Sequence, residues 1–383
     1  MKKNVYMVAA LFLMGMCVAC SSDEVGGQAE NQESSSTVLF SGTIAGSRAD
    51  GDTGGTGEDE DPWHNHFVLK RARIRVVNTV NYSEPDFEND YYEYIYMTQV
   101  PDGTPEWDDV TEPNFFPYDR ETQTVDREGG FDWADMIPTS GAYVFEAVCY
   151  SMVFEPFENG EVYADQTDTE KFWSADLLLA HHAMPLSDIY SLVKLRFWHV
   201  FSMVRVQITL PVADGDDDHG FPEDAVEGVT LGNMLRGYTV NYANAIENDG
   251  LRMVSADNNS SRGDILMYKV SAGEPENGSQ TFEYAAIVPT QSINSTNNRV
   301  SLRINTITGL EENPDGSGGY VQHVEEKSYV FVPNQPIEMQ QAHMTILKLT
   351  TETETSAPVL LSAEVVPWDE SYTEVSLTPV SAD

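Results

Sequence analysis

Apolar and polar positions alternate through most of this chain. In HFVLKRARIRVVNTV, Val68, Lys70, Ala72, Ile74 and Val76 fall on one side and Leu69, Arg71, Arg73 and Arg75 on the other. That period of two predicts a strand with one apolar and one basic face. GAYVFEAVCYSMVF and VKLRFWHVFSMVRVQITL are longer runs rich in Val, Phe, Tyr and Ile, residues that fit a pleated, half-buried surface. TFEYAAIVPT, NRVSLRINTI, KSYVFVP, AHMTILKLTTE and VLLSAEVVPW follow at the spacing of an antiparallel sandwich. Helical patterning is scarce: ADLLLAHHAMPLSDIYSLV has room for a turn or two, interrupted by Pro185. The pattern predicts an all-β chain of two antiparallel β-sandwich domains in tandem. The boundary is expected near HHAMPLSDI, giving an N-terminal domain over 37–187 and a C-terminal domain over 188–383.

The first residues read differently. Met1 to Cys20 carries Lys2 and Lys3 and then an apolar run from Val5 to Val18, the layout of a secretory signal. The run is shorter than the roughly 20 residues a membrane-spanning helix needs, and polar SSDE follows at once. Small Ala19 before Cys20 makes Cys20 the expected site of cleavage and lipid attachment. Residues 1–19 then form a lipoprotein signal peptide and 20–36 a tether; ordinary secretion, with Cys20 free or discarded, is the alternative. Asp23 and Glu24 resemble the acidic export signal of surface lipoproteins, which implies display outside an outer membrane.

About 41% hydrophobic and 10% aromatic residues suffice for folded cores. With Cys17 removed and Cys20 acylated, Cys149 stands alone in an apolar run, so burial rather than a disulfide must hold the fold. The net charge of −41 argues against binding nucleic acid, which requires neutralising phosphates. The acids cluster in Asp50 to Asp61, YSEPDFENDYYE and ADGDDDHG, as solvated connections between strands. DGDDDHGFPED and NPDGSGG only loosely approach a calcium loop. His64, His66, His181, His182 and His199 have no partner at a zinc spacing, and His199 reads as a core or near-core residue. Arg262, Gly263 and Asp264 form a tripeptide that some integrin ligands use, too short to carry weight. No nucleophile elbow, phosphate loop or dinucleotide fingerprint is present, so no catalytic residue, metal or cofactor is expected.

TVLFSGTIAGSRADGDTGGTGEDEDPW, from Thr37 to Trp63, is a strand-like segment that runs into one arginine and then an acidic, glycine-rich tether. Together with two other stretches, it resembles the fimbrillin family, the pilins and pilin-associated lipoproteins of type V pili. Asp176, Leu177, Leu178 and Ala180, followed by Val193, Leu195, Phe197, His199, Phe201, Ser202, Val204, Val206 and Ile208, resemble the join between that family's two domains. VLFSGTIAGSRAD resembles its first strand with an Arg-Ala processing site, and Val365, Val366 and Trp368 resemble its late V-x-x-W strand.

The resemblance implies transthyretin-like sandwiches and a structural, non-enzymatic subunit of a surface fimbrium, with a candidate adhesive role toward a host or bacterial surface ligand. It implies that an arginine-specific surface protease cuts between Arg48 and Ala49, removing the lipid anchor to the outer membrane together with the first strand. Val38, Phe40, Gly42 and Ile44 would face the groove so opened, and another pilus subunit, of the same or a different kind, would fill it by β-augmentation. The segment after Trp368, with Val375, Leu377 and Pro379 on one face, is the candidate donor strand; a self-paired edge strand or a free tail explains it as well. Arg48 as a mere charge at a strand end is the plainer alternative. A non-polymerising lipoprotein also stays open, either a pilus anchor or a carbohydrate-binding module stacking sugars on aromatics such as Tyr92, Tyr94 and Tyr96.

Overall fold

The structure, a computed structural model, describes residues 37–44, 71–77, 91–99, 115–119, 122, 124–125, 130–136, 138, 141–149, 159–242, 254–256, 262–294, 298–313 and 319–367. The period-two segments are strands and the fold is all-β. In the first half these are β1 (Phe40–Ile44), β2 (Arg71–Val77), β3 (Tyr91–Gln99), β4 (Phe115–Asp119), β5 (Thr124–Val125), β6 (Ala142–Cys149) and β7 (Asn159–Glu161). After a six-residue helix, α1 (Thr169–Ser174), come β8 (Leu178–Pro185) and β9 (Val193–His199). Asp168 caps α1 by accepting from the amides of Glu170 and Lys171, and Phe172 stacks on Tyr268 at 5.1 Å. Among the described residues no helix is long and apolar enough to cross a membrane.

Eight strands form one sheet in the order β1-β9-β8-β6-β2-β3-β4-β5, and β1 also touches β4 through Phe40 and Phe115. The first strand therefore closes the sheet on itself, lying between β9 and β4. Its pairing with β9 is parallel, whereas the other ladders of this sheet are antiparallel. A parallel neighbour cannot arrive by a hairpin and must come from a distant part of the chain.

The expected boundary at 187–188 falls in the turn between β8 and β9, which pair through Leu178 with His199 and Leu179 with Trp198. The segment with room for a helical turn is β8 followed by a 3-10 turn at Leu186–Asp188. Strands change sheet at Val200–Phe201, where the chain enters β10 (Ser202–Pro211). There His199 Nδ1 lies 3.0 Å from Asp176 Oδ1, and the Val200 amide donates to the Leu177 carbonyl at 3.2 Å. Two motif residues read separately in the sequence thus bond to each other and pin the corner.

The remaining strands are β11 (Val226–Leu235), β12 (Gly237–Val240), β13 (Val254–Ala256), β14 (Arg262–Leu266), β15 (Tyr268–Ala272), β16 (Ser279–Val288), β17 (Ser292–Ile293), β18 (Arg299–Glu312), β19 (Tyr320–Phe331), β20 (Ile337–Glu338), β21 (His343–Thr350) and β22 (Val359–Pro367). A five-stranded sheet, β15-β16-β10-β21-β22, and a four-stranded sheet, β14-β11-β18-β19, contribute to one buried cluster through side chains such as Val206, Phe282, Leu347, Leu231 and Leu302.

A second cluster fills the interior of the eight-stranded sheet, with Phe40, Ile74, Phe115, Phe145 and Phe197 among its members. The two clusters are linked because β6 is buried on both faces: Phe145 and Ala147 point inward, while Val148 joins the other cluster along with Leu179 of β8. The basic face of β2 is covered for the same reason. Arg73 and Arg75 are 8% and 6% exposed, so the basic face of the strand is buried there. Arg75 bonds Glu146, fully buried on β6, at 2.7–2.8 Å, and its guanidinium sits 5.5 Å from the ring centre of Tyr242.

Candidate functional site

The seat of β1 starts just before the strand. The Val38 amide donates to the Phe131 carbonyl at 2.8 Å, Thr37 bridges to Asp132, and the Val193 amide donates to the Leu39 carbonyl at 2.9 Å. From there Phe40 to Ile44 run in register with Val193 to Phe197. Alternation puts Val38 (3% exposed) and Phe40 (0%) into the core and leaves Leu39 at 43%. The Phe40 ring meets Phe145 edge-on at 5.4 Å and Phe131 at 6.1 Å. Trp133 backs this pocket, 6.3 Å from Phe145 and 5.2 Å from Tyr143. Gly42 passes against Phe115 and Phe197, where an added Cβ would overlap the Phe115 ring.

Ile44 takes its place in the ladder opposite Phe197; its side chain lies outside the described residues, as do Cys20, Arg48, Ala49, Val375, Leu377 and Pro379. Ser41, on the other face of β1, is also buried. Of the walls of the seat, Phe197 was named in the sequence only as part of the motif at the domain join, and Phe115, Phe131 and Phe145 were not picked out. The signal for Phe131, and for Trp133 behind it, is FDW at residues 131–133, alternating aromatics after a glycine pair, a strand-like pattern too short to count alone.

The other candidates are tied into the scaffold. Cys149 is a buried free thiol at the end of β6. Arg262 and Asp264 lie on β14, where the Arg262 guanidinium donates to the Asn233 carbonyl at 3.0 Å and the Asn233 amide donates to Asp264 at 2.9 Å. His64 and His66, the side chains of Tyr92, Tyr94 and Tyr96, and residues 314–318 within NPDGSGG lie outside the described residues.

His181 and His182 lie on β8, paired across the ladder with Glu146 and Phe145. Burial, reinforced by the neighbouring His182, holds His181 down at about 4 against an ordinary 6.5. Burial also lowers His182, opposed by Asp188. The unfolded chain thus takes up a proton at His181 below about pH 6.5 that the folded chain refuses until about pH 4. Stability is complete above the upper value and declines as pH falls through this window, by on the order of 2 kcal/mol. Urea midpoints at pH 7.5 and 4.5 should differ in that direction, and His181→Gln should reduce the difference, with His182 supplying a further part.

No protein-family model matches the chain, and no match is found among curated proteins. Solved structures similar to it include fimbrial proteins and candidate cell adhesion proteins. A candidate cell adhesion protein from Bacteroides ovatus is 14% identical over 87% of this chain and 97% of its own, with a TM-score of 0.45. A fimbrial protein from Bacteroides vulgatus is 11% identical over 59% of this chain and 78% of its own, with a TM-score of 0.39. The tip fimbrial protein Mfa3 from Porphyromonas gingivalis, with a C-terminal truncation, is 10% identical over 78% of this chain and 94% of its own, with a TM-score of 0.36.

Proposed function

We propose that this chain is a structural subunit of a surface fimbrium, exported as a lipoprotein through Cys20, cut between Arg48 and Ala49, and joined to its neighbours by exchange of the first strand. The observation that supports this reading is the seating of β1: a short parallel strand that closes an otherwise antiparallel sheet and buries Val38 and Phe40. Burial of such side chains is worth roughly 1.5–3 kcal/mol each and each ladder bond about 0.5–1.5 kcal/mol. Ordering a free segment costs about 1–2 kcal/mol per residue, a cost the covalent connection offsets by holding the strand at high effective concentration. Cutting the chain just beyond β1 removes that advantage and leaves a strand that a neighbour can displace. The edges of β9 and β4 and the aromatic pocket between them then offer main-chain partners and side-chain stations for a new strand. In this reading the two hydrophobic clusters are the cores of the subunit's two domains.

The test is the N-terminus of the protein taken from the native cell surface, read by mass spectrometry before and after arginine-specific proteolysis. The expected mature start is Ala49, with the fragment from Cys20 to Arg48 lost. A lipidated Cys20 start that resists cutting at Arg48 would overturn the polymerising reading and leave a surface-anchored lipoprotein.

A further inference from the structure

We propose that the seat of β1 admits a replacement strand only from a different subunit, because the close approach at Gly42 shuts out this chain's own tail at Pro379; this rests on strand exchange at that seat. A glycine inside a strand sacrifices packing and marks a place where something comes too near for a side chain. At Gly42 a Cβ would overlap the Phe115 ring and stand 3.1 Å from Cε2 of Phe197. Those two rings are 2% and 0% exposed, with centres 6.0 Å apart. Neither can swing away without opening a void in a close-packed core. Along the strand direction the seat therefore has three stations: an aliphatic one at Val38, an aromatic pocket at Phe40, and one at Gly42 with room only for hydrogen.

Val375, Leu377 and Pro379 repeat the spacing of Val38, Phe40 and Gly42 in the same chain direction. Laid parallel to β9, the tail fills the first two stations and brings the Pro379 ring against Phe115 at the third. Sliding the tail gives no escape. Its small residues Ser371, Ser376, Ser381 and Ala382 follow Asp369, Glu374, Pro379 and Val380 by two positions. Only Val380 suits the aromatic pocket, and that frame places polar Thr378 at the aliphatic station and the Ala382 methyl where only hydrogen fits. The strand that fits is one from another chain reading aliphatic-x-large apolar-x-glycine.

The full chain is cut after Arg48 and exposed to fluorescently labelled peptides, with binding read by anisotropy. The peptides are residues 36–48, the same with Gly42→Val, the tail 368–383, and the tail with Pro379→Gly. The native first-strand peptide should bind, the Gly42→Val peptide at least 100-fold more weakly, the native tail at least as weakly, and the Pro379→Gly tail should recover most of the affinity. Failure of the native first-strand peptide to bind overturns strand exchange itself. Binding of the native tail within tenfold of the first-strand peptide overturns exclusion of self and leaves exchange standing. So does equal binding by the Gly42→Val peptide, or no gain from Pro379→Gly.

Discussion

Replacing Phe40 with alanine is expected to lower the stability of the uncut chain by roughly 3–5 kcal/mol, the range for removing a buried aromatic from a well-packed core. Phe40 is fully buried, contacts Phe131 and Phe145 edge-on, and is the point among the described residues where β1 reaches both β9 and β4. Losing the ring empties the pocket and loosens the only strand that closes the sheet between those two edges. Urea unfolding followed by tryptophan fluorescence should show a lower midpoint, and arginine-specific proteolysis should cut faster after Arg48 because β1 spends more time unseated. Leu39→Ala is the internal control: at 43% exposed it should change stability by less than about 0.5 kcal/mol. A Phe40→Ala loss below about 1 kcal/mol would mean that β1 is not an integral part of the core.

The second large effect is at Arg75. Arg75→Ala leaves Glu146 buried without its guanidinium partner, an arrangement that costs roughly 3–5 kcal/mol. Removing both charges, with Arg75→Met and Glu146→Leu together, should recover most of that loss, because a well-packed apolar pair in place of a buried ion pair is often neutral or stabilising. The four-way cycle separates charge from packing. If the double variant is as unstable as Arg75→Ala, the guanidinium matters for its packing beneath Tyr242 rather than for Glu146.

Much of the fold was legible because alternation is local. A segment such as RARIRVV needs no knowledge of its neighbours to be a strand, and β6, β9 and β10 follow from the same period. Alternation also puts Val38, Phe40 and Gly42 on one face before any partner strand is known. It is silent where the second face of a strand is covered as well. Alternation gives Arg73 and Arg75 as a basic face, and says nothing of its being covered, at Arg75 by Glu146 and Tyr242 from other parts of the chain. The corner at His199 shows the same limit: the motif contains both Asp176 and His199, but their bond exists only once β8 and β9 have paired. The expected boundary near HHAMPLSDI rested on the break between the runs FWSADLLLA and LVKLRFWHVFSMVRVQITL. That break marks a turn within one sheet, and the change of sheet comes at the corner just after His199.

By itself the sequence determined that the chain is all-β, because period-two patterning is set by the geometry of one strand and the solvent beside it. It also placed the first strand, the arginine beyond it and the tail with its every-second-residue spacing. Only the tertiary structure decided that the first strand lies parallel to β9 and closes the sheet against β4. It alone made Gly42 a point of exclusion, because that depends on Phe115 and Phe197 meeting from distant strands. Which residues alternate is a property of neighbours along the chain; which side chain has room is a property of neighbours in space.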